Sequence, residues 1–380
     1  MAISVAGGVK PGKIIEVEFR LYQQLLVGKK ATLKMEDELD TQLDDVANKL
    51  EIERAAIKLR LDKQLKAKAL YQAISEQLSN AVSKDMEHQL SWPEKVSDIS
   101  GISQTQLLLL DLLASKDVNL ARLRPLIDDS TWLANELTAI INSPSSRHRR
   151  TTRGNIQVSD LKLILNYIGV ENLRLLVPYF CLRHWLPSGN ANVLWAARKL
   201  WRYSIVSAIA AQTLAQLHGK NVSLVYTCAL LNQLGSAVVL NCGARMFEKH
   251  WRTWLQEASR GRDKEVHDAI LATDFPANEI FNQVMHYGQK YSWQLLTLQS
   301  FDDSPITQVL KELDLEYHFC ELSPEAALVA KASCYAKVYL LDELKLIEHQ
   351  EKRLMFDYYE FSSSELACLK GLNFRKLDLL

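Results

Sequence analysis

The sequence predicts an all-α protein, a multi-helix bundle with an N-terminal helical extension. Only 14 glycines and 9 prolines interrupt its 380 residues, and neither type occurs between residues 29 and 92. Leu, Ala, Glu, Lys and Gln, which favour helices, are abundant, and the alternation of β-branched residues that marks strands is scarce. The length suggests two domains, or one large domain with an extension.

Residues 1–95 are expected to form a helical arm. Its first helix covers about 14–27 and ends at Gly28, since glycine is the usual residue after a helix. A long helix is expected over about 34–84. The Trp92-Pro93 sequence terminates this region, because proline disfavours a helical conformation in the residue before it.

The long helix of the arm carries an apolar stripe and a polarised charge distribution. Residues 36–53 contain eight acids and one lysine, whereas 54–68 contain six bases and one aspartate. The stripe is either the seam of a coiled-coil homodimer or the face that packs on the rest of the chain, and both interpretations stay open. Its positions are Leu39, Leu43, Val46, Leu50, Ile57, Leu61 and Leu65.

Residues 96–380 are expected to form one domain of consecutive helices. Ser159 is a predicted N-cap, Gly169 a predicted C-cap, and Gly235 is expected to end another helix. The predicted helices cover about 104–114, 120–127, 131–142, 159–168, 171–184, 191–218, 223–234, 244–259, 263–273, 277–289, 305–313, 324–348, 353–357 and 363–369.

Composition excludes several classes of protein. The 45 basic and 45 acidic residues cancel, so no global field draws the chain to nucleic acid or to an acidic membrane. The first 13 residues lack the apolar core of a signal peptide, and we find no apolar run of about 18 residues. We therefore expect a cytoplasmic protein. The six cysteines are widely spaced without a CxxC pair, which is typical of reduced core thiols.

Three stretches of the second domain resemble a known family. The first is a helix ending in Asn142-Ser143, and the second is a helix ending in Ile168-Gly169. The third runs from Trp201-Arg-Tyr-Ser204 to Ala229-Leu-Leu-Asn-Gln-Leu-Gly235. In this order and spacing they resemble the HDOD domain, the HD-related output domain of bacterial signalling proteins, over roughly residues 98–340. The resemblance implies an all-helical domain related to HD metal-dependent phosphohydrolases, in a family regarded mostly as non-enzymatic.

The resemblance also indicates where an HD enzyme would bind its metal. The first histidine of the HD set falls on Tyr203, the His-Asp pair on Asn232 and Gln233, and the later aspartate on Ser333. A divalent metal prefers imidazole or carboxylate ligands, whereas these four side chains are neutral. We expect no metal, no cofactor and no catalytic residue. The four residues form a degenerate pocket of interior polar groups, or one that binds a neutral or nucleotide-like ligand.

A second candidate site, for a partner or a phosphate, consists of Asn142, Ser143 and the arginine-rich loop that follows them. Four arginines within seven residues could clamp a phosphate or the acidic side chains of a partner, or could simply solubilise the loop. Without interleaved aromatic residues the loop does not favour nucleic acid. The arginines are Arg147, Arg149, Arg150 and Arg153.

The only His-Asp dipeptide, His267-Asp268, lies outside the motif positions, and we interpret it as a solvated helix face. These observations predict a non-catalytic signalling adaptor that binds other signalling proteins and no membrane. Its N-terminal helices are candidates for a homodimer contact. The alternatives are a metal-dependent phosphohydrolase with a rebuilt site and a nucleotide-sensing module that binds without hydrolysis.

Overall fold

A computed structural model describes residues 8–28, 51–144, 158–187, 191–315 and 318–374. Within these ranges the chain forms helices and no strand, which confirms the predicted fold class. The helices are α1 (Gly12–Leu26), α2 (Glu51–Leu90), α3 (Pro93–Ser100), α4 (Gln104–Ala114), α5 (Leu120–Asp129), α6 (Thr131–Ile141), α7 (Leu161–Trp185), α8 (Ala191–Leu217), α9 (Val222–Leu231), α10 (Leu234–Gly261), α11 (Lys264–Ala272), α12 (Ala277–Leu298), α13 (Pro305–Asp314), the 3-10 turn Phe319–Glu321, α14 (Pro324–Glu343), α15 (His349–Tyr358) and α16 (Ser363–Lys370).

Local sequence signals explain many of the helix boundaries. The predicted break at Trp92-Pro93 is confirmed, because α2 ends two residues before Trp92 and α3 begins at Pro93. Gly169 adopts a left-handed conformation (φ +74°) that kinks α7 where a helix end was predicted. The N-cap of α7 is Asp160, whose side chain accepts a hydrogen bond from the Lys162 amide, and not the predicted Ser159.

The prediction that a helix ends at Gly235 is wrong. The break between α9 and α10 lies at Asn232 and Gln233, and Gly235 is inside the first turn of α10. A Cβ atom on Gly235 would lie 2.0 Å from the Gly288 carbonyl oxygen of α12. Because Gly235 has no side chain, α10 and α12 can approach each other closely at this point. Gly235 does not act as a helix C-cap.

One hydrophobic core runs from Ile14 in α1 to Phe374 beyond α16. Helix α1 packs on α8, α12, α14 and α15, and buried residues from Ile74 to Leu90 hold α2 against α10, α11 and α12. Both helices thus share a core with the residues beyond 95. The proposed division after residue 95 stays a prediction. Of the two helices described before residue 92, only the first half of α2 lies outside that core.

That first half of α2 differs from the second. None of the side chains described between residues 51 and 69 is buried, and Leu65 is exposed while Ile57 and Leu61 are half-buried. These three residues of the predicted stripe therefore do not pack into the core of their own chain. The other four positions, Leu39, Leu43, Val46 and Leu50, lie outside the described residues.

A small second cluster joins α2 to α10 and α11. Trp251 and Trp254 of α10 pack with Ile74 and Ile270, and the Trp251 indole N–H donates a hydrogen bond to the Ile270 carbonyl at 3.0 Å. The cluster anchors α2 at the point where its buried half begins.

One long apolar stretch among the described residues is part of the core. Val222–Gly261, which covers α9 and α10, is long and apolar enough to cross a membrane, although no such run was expected. Because 89% of its most apolar window is buried inside the fold, it is consistent with the core of a soluble protein.

Burial accounts for most of the cysteines. Four of them are buried, as predicted for core thiols, and all six are free. Burial raises the pKa of the Cys242 thiol to about 11, so it stays protonated near neutral pH. Cys320 and Cys368 are exposed, which the sequence did not predict.

Candidate functional site

The four residues predicted to form a degenerate pocket are brought close together. Tyr203 lies on α8, Ser333 on α14, and Asn232 and Gln233 form the break between α9 and α10. The hydroxyl groups of Tyr203 and Ser333 share a hydrogen bond of 2.6 Å in the protein interior. Burial raises the pKa of Tyr203, so its hydroxyl is protonated and neutral at physiological pH.

A fifth residue, Tyr22 of α1, connects this group. Its hydroxyl donates a hydrogen bond to Gln233 Oε1 at 2.8 Å, and its ring packs edge-to-face on the Tyr203 ring with centroids 6.2 Å apart. No sequence motif pointed to Tyr22. The amphipathic pattern of α1 shows that one face is buried, but it does not show which residues that face meets.

Helix packing fixes the orientation of Asn232. Ser292 of α12 donates a hydrogen bond to the Asn232 carbonyl oxygen at 3.0 Å, and its Oγ accepts one from the Gly235 amide at 3.0 Å. The Gln289 amide donates to Asn232 Oδ1 at 2.6 Å. The side-chain oxygens of Asn232 and Gln233 therefore both act as acceptors within the protein.

A charged group lies beside these neutral side chains. Glu18 of α1 accepts a hydrogen bond of 2.6 Å from Lys337, which is one turn beyond Ser333 on α14, and also pairs with Lys10. Burial opposes ionisation of Glu18, but attraction to Lys337 and Lys10 outweighs it and lowers the pKa of Glu18 to about 2. In turn Glu18 raises the pKa of Lys337 despite its burial. Both groups are thus ionised near neutral pH.

A cavity of about 560 Å³ opens next to the group. It lies within the size range of small-molecule sites in proteins. Neutral hydrogen-bonding groups, charged groups of both signs and apolar residues line it. The lining includes Glu18, Tyr22, Asn232, Gln289, Ser333 and Lys337.

The donor atoms of this site do not suit a divalent cation. Tyr203 and Ser333 offer neutral hydroxyls, and Asn232 and Gln233 offer neutral amide oxygens that already accept hydrogen bonds. Within the described part of the chain, no three or more His, Cys, Asp or Glu side chains converge as a metal-binding group. His267 and Asp268 lie 3.6 Å apart on α11, where Asp268 is largely exposed.

The arginines of the second candidate site, Arg147, Arg149, Arg150 and Arg153, lie outside the described residues. The residue just before that loop has a structural role. The Asn142 side chain donates a hydrogen bond to the Val158 carbonyl at 2.9 Å and accepts one from the Val158 amide at 3.0 Å. Asn142 therefore ties together the two ends of the segment that contains Ser143 and the arginines.

Comparison with known proteins gives one family and two similar structures. Residues 100–277 match the model of the HDOD domain family. A predicted phosphohydrolase from Shewanella amazonensis SB2B is 14% identical, with a TM-score of 0.43 over 73% of this chain and 91% of that one. A predicted metal-dependent phosphohydrolase from the same organism is 17% identical, with a TM-score of 0.38 over 75% of this chain and 99% of that one. No curated protein matches.

Proposed function

We propose that the protein, whose residues 100–277 match the model of the HDOD domain family, is a non-catalytic signal-transduction adaptor of the bacterial cytoplasm. In this proposal it acts by binding other signalling proteins, and its HD-type site has lost the groups that hold metal. The degenerate site consists of Tyr203, Asn232, Gln233 and Ser333.

The observation that carries the proposal is the hydrogen bond between Tyr203 and Ser333. An HD enzyme needs ionised carboxylates and neutral imidazoles around its metal, because these groups supply the negative charge and the lone pairs that a dication requires. Two buried neutral hydroxyls that satisfy each other supply neither. Without a metal there is no activated water and no Lewis acid for a phosphoryl oxygen.

Metal analysis of the purified protein tests the proposal. We expect far less than one equivalent of Mn, Fe, Zn or Mg, and no metal-dependent hydrolysis of phosphodiesters or nucleotides. The matched control is the variant Tyr203→His, Asn232→His, Gln233→Asp and Ser333→Asp, which returns the HD ligand types and should bind more metal than the wild type. Near-stoichiometric metal in the wild type, with metal-dependent turnover, would support a phosphohydrolase with a rebuilt site instead.

The cavity favours a second candidate, a module that senses a small ligand without hydrolysing it. A ligand that binds only the folded state raises stability, by about 2.7 kcal/mol at 100 times its Kd. A thermal-shift screen with nucleotides tests this candidate. The control is Ala330→Leu, which narrows the cavity at a residue that lines it and should abolish a genuine shift.

A further inference from the structure

The side chains described in the first half of α2 are exposed or half-buried. Ile52 is 84% exposed and Leu59 is 74% exposed, whereas every fourth residue from Ile74 to Leu90 is buried. At 1.5 Å per residue, the 19 residues from 51 to 69 span about 28 Å. Most of the stability of a helix in a protein comes from the packing of its apolar face. None of the side chains described in this part of α2 is buried, so its apolar face can gain stability from a partner surface.

The exposed half of α2 is amphipathic and basic. Ile57, Leu61 and Leu65 follow one another at intervals of one turn and form a single apolar face. Between residues 55 and 69 the chain has five basic residues and only one acidic residue. A complementary surface would be an apolar groove with an acidic edge.

The cavity beside the candidate site opens to such a surface. Three exposed apolar residues line it: Ile15 of α1, Met285 of α12 and Leu315 after α13. These side chains give the groove an apolar component that a partner could cover.

The charge at this groove is acidic. Two carboxylates, Glu312 and Asp314, line it in the last turn of α13, where the negative end of the helix dipole adds to their field. Glu312 accepts a hydrogen bond from the Ser323 amide, and Asp314 accepts one from the Trp293 indole, and neither donor removes the negative charge. The two lysines in the lining share one carboxylate, that of Glu18. Two bases and three acids therefore line the groove, and its Asp, Glu and Lys side chains carry a net charge of −1.

We propose that the protein forms a homodimer in which the exposed half of α2 from each copy docks in this groove of the other copy. The apolar face formed by Ile57, Leu61 and Leu65 would cover the exposed apolar residues of the groove, and the basic residues that flank it would lie near Glu312 and Asp314. Because the dimer is two-fold symmetric, this contact occurs twice in it. A dimer of this kind forms whether or not the degenerate site binds metal.

Paired charge reversals test the proposal on the full-length chain. The arm variant carries Lys58→Glu and Lys68→Glu, and the groove variant carries Glu312→Lys and Asp314→Lys. By sedimentation equilibrium we expect the wild type to reach twice the chain mass of 43.2 kDa. Either variant alone should dimerise about tenfold more weakly or worse, because like charges then face each other. An equimolar mixture of the two should recover the dimer, since both of its contacts pair opposite charges.

Two controls complete the experiment. Lys116→Glu with Lys162→Glu makes the same change in net charge as the arm variant, at exposed positions outside both surfaces, and should leave dimerisation unchanged. If circular dichroism shows that the groove variant is misfolded, Glu312→Gln with Asp314→Asn replaces it, and this pair should weaken the dimer less. A wild type that stays monomeric at every concentration overturns the proposal. So does a dimer that both variants leave intact, or a mixture of variants that shows no recovery.

Discussion

At the scale of single residues, the candidate site shows how polar side chains can be buried at little cost in stability. A buried hydroxyl without a partner costs about 1–3 kcal/mol, whereas a pair that satisfies each other costs little. Tyr203 and Ser333 meet this condition although 130 residues separate them in sequence. Likewise, Tyr22 donates a hydrogen bond to the side-chain oxygen of Gln233, and Gln289 donates one to that of Asn232.

Single and double substitutions at this pair have predictable effects. Ser333→Ala should lower the free energy of unfolding by about 1–3 kcal/mol, because it leaves the Tyr203 hydroxyl buried without a partner. Adding Tyr203→Phe should recover most of that loss, since the orphaned hydroxyl is then absent. Urea denaturation of the four proteins of the cycle gives the coupling energy. Purely additive effects would show that the two hydroxyls do not depend on each other.

At the scale of elements, α1 determines how the site is closed. It buries Ile14, Val17, Leu21 and Leu25 and supplies Glu18 and Tyr22 to the site. Each of the four apolar side chains contributes about 1.5–3 kcal/mol when buried, so the helix is held by an energy comparable to the stability of a whole domain. Helix α1 therefore packs as an integral part of the fold.

Substitution of one leucine in α1 and one in α2 distinguishes the packed part of the N-terminal region from the exposed part. Leu21→Ala in α1 should lower stability by about 2–5 kcal/mol, because it leaves a cavity in the core. Leu59→Ala in the exposed half of α2 should change stability by no more than about 0.5 kcal/mol. Thermal denaturation at a concentration low enough to keep the protein monomeric measures both. A small effect at Leu21 would mean that α1 does not belong to the core.

The sequence predicted most helices to within a few residues, but it predicted their neighbours poorly. Helical periodicity identifies the buried face of α1 and leaves open what that face contacts, so the arm was assigned to a separate unit. Gly235 was misinterpreted for a related reason: glycine reads locally as a helix end, whereas here it allows contact with Gly288, a residue 53 positions away. Motif order located Tyr203 and Ser333. Tyr22 and Lys337 belong to no motif, so only the fold shows that they join the site.

At the scale of the whole molecule, buried ion pairs link the N-terminal helix to the C-terminal helices and make stability depend on pH. Hydrogen bonds from the Arg20 guanidinium lower the pKa of Glu351 to about 2, and Lys337 and Lys10 lower that of Glu18 to a similar value. An unfolded glutamate has a pKa of about 4.3. A folded-state pKa below the unfolded one contributes stability that is fully present above about pH 5 and is lost as the pH falls towards 2.

Acid titration of the melting temperature measures this contribution. The wild type should lose stability steadily between about pH 5 and pH 2, because the unfolded chain takes up protons there more readily than the folded one. Glu351→Gln should start less stable at pH 7 and show a shallower decline. Glu171→Gln, at a largely exposed glutamate, is the matched control. An unchanged slope in Glu351→Gln would mean that this pair does not couple the two ends of the chain.

Limited proteolysis distinguishes two views of the whole molecule. If residues 1–95 form a separable arm, the first cuts should fall between about residues 80 and 103 and release a stable N-terminal piece. The contacts favour a different outcome, since Val82, Met86, Leu90 and Val96 are buried in the common core. Among the described residues, trypsin should instead cut first at the exposed bases between residues 58 and 68, because proteases act on segments that open at little cost.

After such a cut the segment containing α1 should stay bound to the rest of the protein without a covalent link, because its apolar face is buried and Glu18 and Arg20 pair with Lys337 and Glu351. Gel filtration of the nicked protein followed by mass spectrometry tests this expectation. Cleavage should also slow as the protein concentration rises, if the exposed half of α2 docks on a second copy. A first cut near Trp92, with dissociation of the N-terminal fragment, would support the prediction of a separable arm. It would also contradict the assignment of α1 to the candidate site.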